Sequence, residues 1–224
     1  MAAFDKVKIV VVGDSGVGKT SLVHLVCHNE PSNIPSATIG CSVEVKLHEY
    51  HAALPSEKTY FLELWDIGGS SSHRSSRSIF YNSVNGIILV HDLTNRKSQQ
   101  NLRKWLAEVL DKDTIEVANG YDQFDSELFA GNQTPILLIG TKADLAQSLR
   151  EVNKSRASSL AEECRAEEVS LDCMQVKYLA PGSTNAVKLT KFFDKVIERR
   201  YGGSQGHNSP SQDRRRFWKN SHVD

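Results

Sequence analysis

The sequence predicts a doubly wound α/β domain over residues 1–201. Short apolar runs alternate along the chain with segments of helical periodicity, a pattern typical of βαβ units around a parallel sheet. One run, 41–50, alternates strictly between apolar and polar residues, which is typical of a half-exposed edge strand. At 224 residues, the chain is long enough for one domain with a full core and a tail.

Six strands are predicted, most of them parallel. They are expected at 6–13, 41–50, 59–66, 86–93, 135–140 and 168–173. The segment "HAALPSEK", residues 51–58, is interpreted as a hairpin between the second strand and the third. The sheet should therefore be mainly parallel, with one antiparallel edge strand.

About five helices are expected between these strands. The helical patterns lie at 19–28, 98–110, about 154–165 and 183–200. In the last of them an apolar stripe predicts the buried face, and Ser183 or Thr184 could cap the start. The stripe consists of Val187, Phe192, Val196 and Ile197.

Two segments lie outside this pattern. Residues 111–133 form a long insertion between a helix and a strand, and such connections are usually functional or mobile. Residues 202–224 are rich in Gly, Ser, Asn and Arg without periodicity, so a disordered tail is expected. Its basic cluster "DRRRFWK" could touch lipid or a partner, but a solvated cluster is the favoured interpretation.

Composition excludes several classes of protein. The 27 basic and 27 acidic residues balance, so the whole molecule is not steered to nucleic acid or to an anionic membrane. No apolar run approaches the roughly 18 residues that span a bilayer, and the first strand leaves no room for a signal peptide. Ala2 stands where N-myristoylation needs glycine. We expect a soluble, cytoplasmic protein.

The cysteines and histidines predict no metal centre. Four scattered cysteines, without a paired CxxC spacing, are expected to be buried free thiols in a reducing compartment. The eight histidines show no ligand spacing either, and His48 and His51 are expected to be solvated at a strand end.

The clearest motif is a phosphate-binding loop, "GDSGVGKT". It lies between a predicted strand and a helix, where main-chain N–H groups and the helix dipole favour an anion. Lys19 adds a positive charge for the β- and γ-phosphates, and the Thr20 hydroxyl can ligate Mg²⁺. The predicted phosphate site comprises Gly13, Asp14, Ser15, Gly16, Val17, Gly18, Lys19, Thr20 and Ser21.

A second motif, "GTKAD", predicts which base is bound. Thr141, Lys142, Ala143 and Asp144 follow an apolar strand, at the carboxyl end where ligands bind in such sheets. One carboxylate can accept hydrogen bonds from both N1–H and the 2-amino group of guanine, whereas adenine offers no such pair. Asp144 is therefore the candidate base reader, and the stem of Lys142 can cover the base.

These motifs together resemble the Ras superfamily of small GTPases, in its Rab branch. The resemblance spans about residues 6–201 and is carried, in the family's order, by "GDSGVGKT", "SATIG", "WDIGG", "FYNSVNGIILVHDLTN" and "GTKAD". It implies a P-loop small-GTPase domain, binding of GTP and GDP with Mg²⁺, and two switch segments that sense the γ-phosphate.

The resemblance also implies further site residues. Thr38 would complete the magnesium shell with Thr20, and Asp66 would hold the metal through water. The Gly69 N–H would meet the γ-phosphate. The guanine carbonyl should meet a backbone N–H after the sixth strand. We assign that contact to Asp172 and Cys173, with Ala180 as the alternative.

The sequence departs from the family in ways that weaken catalysis and binding. Ser70 occupies the position of the glutamine that orients the attacking water. Thr141 replaces an asparagine, and "HNEPSNIPSA", residues 28–37, lacks the aromatic residue that stacks on guanine. If additive, the last two losses weaken binding by about 2–4 kcal/mol. Gly68, Gly69 and "SSSHRSS" also predict a flexible second switch.

Three functions remain open from the sequence. The favoured one is a GTP-binding switch or adaptor with very weak hydrolysis and fast exchange, meeting effector or regulator proteins through 28–41 and 68–80. The second is a nucleotide-independent module that self-associates through the edge strand or Phe192 and Phe193. A phosphotransferase is disfavoured by the guanine-reading loop. Since the last cysteine is Cys173, no prenyl anchor is expected.

Overall fold

A computed structural model describes residues 5–32, 36–51, 57–110, 131–150 and 159–202. Within them, six strands form one sheet in the order β2-β3-β1-β4-β5-β6, and only the β2–β3 pair is antiparallel. The strands are β1 Lys6–Val12, β2 Cys41–Tyr50, β3 Lys58–Ile67, β4 Gly86–Asp92, β5 Ile136–Thr141 and β6 Glu167–Ser170. The predicted α/β class, the mainly parallel sheet and the antiparallel edge strand are confirmed.

The helices lie between the strands. They are α1 Lys19–His28, α2 Arg74–Arg77, α3 Arg96–Gln100, α4 Leu102–Val109, α5 Ala143–Arg150, α6 Ser159–Glu163 and α7 Thr184–Tyr201. Short 3₁₀ turns add Ser71–His73, Ser78–Phe80 and Val176–Leu179. The helix expected at 98–110 is divided at Asn101 into α3 and α4, while α2 and α5 have no counterpart among the predicted helices.

Several predictions fall on residues outside the described ranges. These are most of the hairpin at 52–56, most of the insertion at 111–130, the first part of the helix expected near 154–165, and the tail at 203–224. Within the described residues, the last predicted strand is shorter than expected, because pairing with β5 ends at Ser170.

The sheet separates two apolar layers. Val7, Ile9 and Val11 of β1 face a layer that contains the buried side of α1 and of α7. Val10 and Val12, on the opposite face, pack in a layer with α4 and α6. Because β1 and β4 are covered on both sides, their carboxyl ends form a rigid edge, and the loops that follow them lie at that edge.

Helix α7 confirms one expectation and corrects two. Ser183 caps it as predicted, since its hydroxyl accepts a hydrogen bond from the Ala186 N–H at 3.2 Å. Val187, however, is exposed, and Phe192 and Phe193 are both buried. The phenylalanine pair therefore belongs to the core and offers no surface for self-association.

His48 also differs from its expected solvated state. It is buried because α7 covers this end of β2. The ring packs edge-on against Phe193, and Nε2 lies 2.7 Å from a carboxylate oxygen of Asp194. All four cysteines are free, as expected, but only Cys173 is fully buried. None of the described helices combines the length and apolarity required to cross a bilayer.

One buried histidine makes the stability of the fold depend on pH. His91 of β4 is 2% exposed, and neither ring nitrogen has a hydrogen-bond partner among the described residues. Burial lowers the pKa of His91, although Glu168, 3.9 Å away, acts to raise it. The unfolded chain binds this proton below about pH 6.5 while the native state resists it. Stability is therefore full above that pH and is lost as the pH falls towards the lowered pKa.

We expect His91→Leu to reduce this loss. Between about pH 7.5 and about pH 5.5, the parent chain should lose up to about 1.4 kcal/mol more per pH unit than the variant. Urea unfolding at both pH values measures the difference. His73→Gln, at an exposed position of the second switch, is the control and should follow the parent. Parallel pH profiles for the parent chain and His91→Leu would contradict the assignment.

Candidate functional site

The phosphate loop, Gly13–Thr20, joins β1 to α1 at the carboxyl edge of the sheet. Gly13 approaches β4 so closely that a Cβ atom there would lie 2.1 Å from the Val90 carbonyl oxygen. The loop therefore lies directly against the core. Its outer part, Ser15 and Gly16, is exposed, and its last residues begin α1. This placement directs the positive end of the α1 dipole at the loop.

Lys19 lies at the centre of the loop. It is buried, and Nζ donates hydrogen bonds to the carbonyl oxygens of Gly13 and Asp14, each at 2.9 Å. Burial lowers the pKa of Lys19 to about 8, while the nearby carboxylates of Asp66 and Asp14 act in the opposite direction. The cation is thus held by the loop itself, within reach of whatever anion the main-chain N–H groups bind.

Three oxygen-bearing side chains meet beside Lys19. The Thr20 hydroxyl donates to Asp66 Oδ2 at 2.5 Å, and the Thr38 hydroxyl lies 3.0 Å from both of those oxygens. Asp66 Oδ1 is buried without a hydrogen-bond partner among the described residues. Burial raises the pKa of Asp66 despite the two hydroxyls and Lys19. An oxygen-only donor set with an unsatisfied buried carboxylate oxygen fits Mg²⁺.

The second switch begins against this loop. The Gly68 N–H donates to the Gly40 carbonyl at 2.8 Å, which joins the two predicted switches. A Cβ atom at Gly69 would lie 2.5 Å from the Ser15 nitrogen, so only glycine permits the observed approach. The next residue, Ser70, directs its hydroxyl to that of Ser72, 2.7 Å away.

The rest of this switch, which the serine-rich sequence predicts to be flexible, has helical structure. Residues 71–80 form consecutive helical turns held by Arg77. Arg77 makes a two-point ion pair with Glu108 of α4, at 2.7 and 2.8 Å, and Nη1 donates to the Ser70 carbonyl at 2.7 Å. Its guanidinium lies over the Trp105 ring, 4.3 Å from the centroid. The buried guanidinium of Arg77 therefore links the start of this serine-rich segment to α4.

The candidate base loop is fastened to the phosphate loop. The Thr141 hydroxyl donates a hydrogen bond of 2.6 Å to the Val17 carbonyl oxygen of the phosphate loop. Thr141 therefore makes the link between the two loops that is expected of the family's asparagine. Lys142 donates from Nζ to the Gly16 carbonyl at 3.1 Å and to Asp92 at 2.5 Å. Burial acts to raise the pKa of Asp92, but hydrogen bonds from Lys142 and Thr94 outweigh it and lower the pKa.

The residues after β6 lie beside the base loop. The Ala143 N–H donates to the Leu171 carbonyl at 3.2 Å. Burial raises the pKa of Cys173 to about 12, and the charges of Asp172 and Asp144 act in the same direction. Asp144 itself is exposed at the start of α5.

Asp172 and Ala180 have local partners of their own. The buried Asp172 carboxylate accepts hydrogen bonds from the Met174 N–H at 2.8 Å and from Gln175 Nε2 at 2.6 Å. The Ala180 N–H donates a hydrogen bond of 3.3 Å to the Lys177 carbonyl oxygen at the end of a 3₁₀ turn. Because this N–H already has a partner, Ala180 is a weaker candidate for the base contact than the residues after β6. Both assignments stay predictions.

Several residues that hold the site in place lie outside the sequence motifs and were not predicted. Asn101 Nδ2 and Trp105 Nε1 hold the two carboxylate oxygens of Asp14, at 2.7 and 2.8 Å, and so fix the phosphate loop to α4. Arg77 and Glu108 are equally silent in sequence. Only the apolar periodicity around Trp105 indicates that this residue is directed inward.

A parallel sheet with a phosphate loop, an oxygen cluster and a base loop at one edge defines a P-loop nucleotide-binding protein of the small-GTPase type. Residues 8–199 match the Ras family, and the chain belongs to that family. More narrowly, it is a small GTPase of the Rab-like family. Ras-family GTPases in general bind GTP and GDP with Mg²⁺ and interact with effector and regulator proteins.

Two similar relatives are both proteins named Rab-like protein 3. The chain is 53% identical over 238 residues to that of Mus musculus, with 100% of each chain covered. It is 54% identical over 227 residues to that of Homo sapiens, with 97% of this chain and 95% of the relative covered. The similarity therefore extends over essentially the whole of both relatives.

The two arginines near Glu108 permit a matched test of the anchor. The Arg77 side chain is 4% exposed, whereas Arg74, 3.6 Å from the same carboxylate, is 73% exposed. We expect Arg77→Ala to lower the free energy of unfolding by about 1.5–3 kcal/mol, because Glu108, whose side chain is 15% exposed, loses its two-point ion pair. Arg74→Ala should cost less than about 1 kcal/mol.

Urea unfolding measures both variants, and hydrogen exchange of residues 68–80 reports the local effect. Exchange should accelerate across this segment in Arg77→Ala and stay as in the parent for Arg74→Ala. Equal losses in the two variants would show that Arg77 is not the anchor.

Proposed function

We propose that this small GTPase is a GTP/GDP-dependent switch or adaptor with very weak intrinsic hydrolysis and fast nucleotide exchange, acting through protein partners. The observation that carries this proposal is the position of Ser70, which occupies the site of the family's glutamine. Its main chain is fixed by Arg77 beside the phosphate loop, while its side chain is a short hydroxyl turned towards Ser72. The residues proposed to bind the nucleotide are in place, but no glutamine is present at this position to orient the attacking water.

In this proposal the polyphosphate binds in the loop Gly13–Ser21, with Lys19 supplying the positive charge. Mg²⁺ is held by Thr20 and Thr38 directly and by Asp66 through water. The Gly69 N–H meets the γ-phosphate, supported by its close approach to Ser15. Because Gly68 bonds Gly40 and Thr38 lies against Thr20, a contact at the γ-phosphate is communicated to both switches.

Asp144 reads the base and Lys142 covers it. Asp144 is exposed, so its carboxylate is free of the core and available to a ligand. Lys142 is held by Gly16 and Asp92 in a position that stretches its aliphatic stem along the base side of the loop. Main-chain N–H groups of Asp172 and Cys173 complete the pocket.

Weak hydrolysis follows from the length of the Ser70 side chain. Phosphoryl transfer depends chiefly on positioning and electrostatic stabilisation, and a glutamine normally orients the attacking water. A serine hydroxyl cannot extend as far as a glutamine amide, and here it already bonds Ser72. The γ-phosphate can therefore be sensed without being efficiently cleaved.

Fast exchange follows from the first switch. No aromatic residue occurs in 28–37 to stack on guanine, a contact worth about 1–3 kcal/mol in other single-base sites. The Thr141 tie to Val17 is present, so the missing ring accounts for most of the expected weakening. A loss of 1.4 kcal/mol corresponds to about tenfold in affinity.

The partner surface lies on β2 beside the first switch. Val43, Val45 and Leu47 are exposed on one face of this edge strand, and Ile39 is exposed just before it. Isolated apolar residues are normal on a surface, but four on one strand and its approach favour protein binding. The same strand is the observation that favours the second candidate, self-association through its edge.

Base recognition can be tested with Asp144→Asn. Replacing the acceptor pair by an amide should shift preference from GDP to xanthosine diphosphate, because xanthine carries a carbonyl where guanine carries the 2-amino group. We expect at least about tenfold weaker GDP binding, as for the loss of a charged hydrogen bond of 1.5–3 kcal/mol. Competition against a fluorescent GDP measures both affinities.

Glu162→Gln makes the same kind of change, from a carboxylate to an amide, at an exposed position of α6, and serves as the control. It should bind GDP as the parent does. Unchanged GDP affinity in Asp144→Asn would remove Asp144 from the site.

Hydrolysis can be tested with Ser70→Gln. We expect a single-turnover GTP hydrolysis rate at least about tenfold above that of the parent, equivalent to about 1.4 kcal/mol of transition-state stabilisation. Ser71→Gln, the same change one residue further on at an exposed position, is the matched control and should leave the rate unchanged. A parent rate equal to that of Ser70→Gln would show that the missing glutamine does not by itself account for weak hydrolysis.

A further inference from the structure

A cluster of metal-ligating side chains lies between α1 and β2, away from the oxygen cluster around Asp66. It consists of His24 and His28 of α1 and Glu44 of β2, whose ligand atoms all lie within 4.8 Å of one another. The two imidazole rings are 4.6 Å apart between centroids. His28 Nε2 lies 2.9 Å from a Glu44 carboxylate oxygen.

The local sequence explains why these groups meet. Helix α1 turns Leu22, Val23, Leu25 and Val26 into the core. His24 and His28 are four residues apart, so they stack one turn above the other on the flank of the helix. On β2, Val43 and Val45 are exposed on one face, which places Glu44 on the opposite face, towards α1.

The sequence predicts no metal-ligand spacing among the histidines. That expectation is wrong for His24 and His28, which lie four residues apart on α1. Two histidines at i and i+4 on a helix form half of a common zinc-binding arrangement, and the third ligand comes from a strand. The relation of Glu44 to the histidines is visible only in the fold, since β2 must first pair with β3 to bring Glu44 to α1.

We propose that His24, His28 and Glu44 form a binding site for a divalent transition-metal ion of the zinc type. Imidazole nitrogens with one carboxylate suit zinc and its neighbours, whereas magnesium prefers oxygen ligands alone. Bonds of about 2.0–2.2 Å in a tetrahedron place ligand atoms about 3.4 Å apart. The present separations reach that arrangement through small side-chain rotations.

A fourth ligand is at hand. Glu30 lies just after α1, with a carboxylate oxygen 3.6 Å from His24 Nε2, and its exposed side chain can turn to the ion. Cys27 is not required as a ligand.

The position of the site connects it to the first switch. His28 ends α1 and Glu44 lies near the start of β2, so the ion would join the two ends of the segment 29–43, which includes Thr38. Binding at this point adds a cross-link between a helix and the edge strand of the sheet. It should therefore stabilise the folded chain by mass action.

Zinc binding to the GDP-loaded full chain tests the proposal. Excess Mg²⁺ keeps the phosphates and the oxygen cluster saturated, and Zn²⁺ affinity is measured by competition with a chromophoric chelator. We expect one ion that Glu44→Gln and His28→Gln each weaken by at least about tenfold, since even outer-shell changes cost roughly ten- to hundredfold. The melting temperature of the parent should rise with Zn²⁺, and that of Glu44→Gln should not.

Matched controls separate this site from other ligands. Glu49→Gln makes the same charge change at an exposed position of the same strand, and His73→Gln removes an exposed histidine. Both should bind Zn²⁺ as the parent does, and so should Cys27→Ser. Glu44→Gln is nearly isosteric, so it decides the question if His28→Gln folds poorly.

Three results would overturn the proposal. One is a parent chain that takes up no Zn²⁺, and another is equal affinity in the parent and Glu44→Gln. The third is loss of binding in Cys27→Ser alone, which would assign the ion to the thiol. Because GDP is retained throughout and Zn²⁺ is the readout, these results do not depend on how fast GTP is hydrolysed.

Discussion

The fixed position of the phosphate loop is the constraint on which the rest of the structure depends. A backbone that must direct its N–H groups at an anion cannot satisfy them within a helix or sheet, so its shape has to be held from outside. Asn101 and Trp105 hold Asp14, Thr141 holds Val17, Lys142 holds Gly16, and Gly69 packs directly on Ser15. These contacts come from α4, the base loop and the second switch. The same contacts that hold the phosphate loop therefore also fix the positions of those three elements.

This arrangement explains why the second switch has helical structure although it is rich in serine and glycine. Serines contribute little packing, and two glycines add backbone freedom. Arg77 compensates, because one guanidinium binds Glu108, stacks on Trp105 and donates a hydrogen bond to the Ser70 carbonyl oxygen. The Trp105 ring that carries the guanidinium also holds Asp14 through its Nε1. The segment therefore connects the phosphate loop to α4 through contacts that do not involve the Ser70 side chain.

The sequence predicted the features that depend on neighbouring residues. The mainly parallel sheet, the antiparallel β2–β3 pair and the capped last helix follow from apolar periodicity and from a single capping residue, Ser183. The features that it missed depend on residues distant in the chain. Arg77 looks like a solvated charge directly after "SSSHRSS", and only Glu108, 31 residues later, makes its burial favourable. His48 looks exposed on an alternating strand until Asp194 of α7 covers it. The spacing of His24 and His28 was visible, but Glu44 reaches them only through the β2–β3 register.

Helix α1 gives the nucleotide site and the histidine cluster a common electrostatic basis. Its ten residues form one continuous helix, about 15 Å long at 1.5 Å per residue. The positive end of the helix dipole begins at Lys19, where an anion is favoured, and the negative end lies at His28, where a cation is favoured. Phosphate at one end and a divalent ion at the other would each interact favourably with the same dipole. The dipole effect falls off within the first or last turn, so the two sites would be coupled mainly through the packing of α1 on the sheet and through the segment 29–43, which joins the helix to β2.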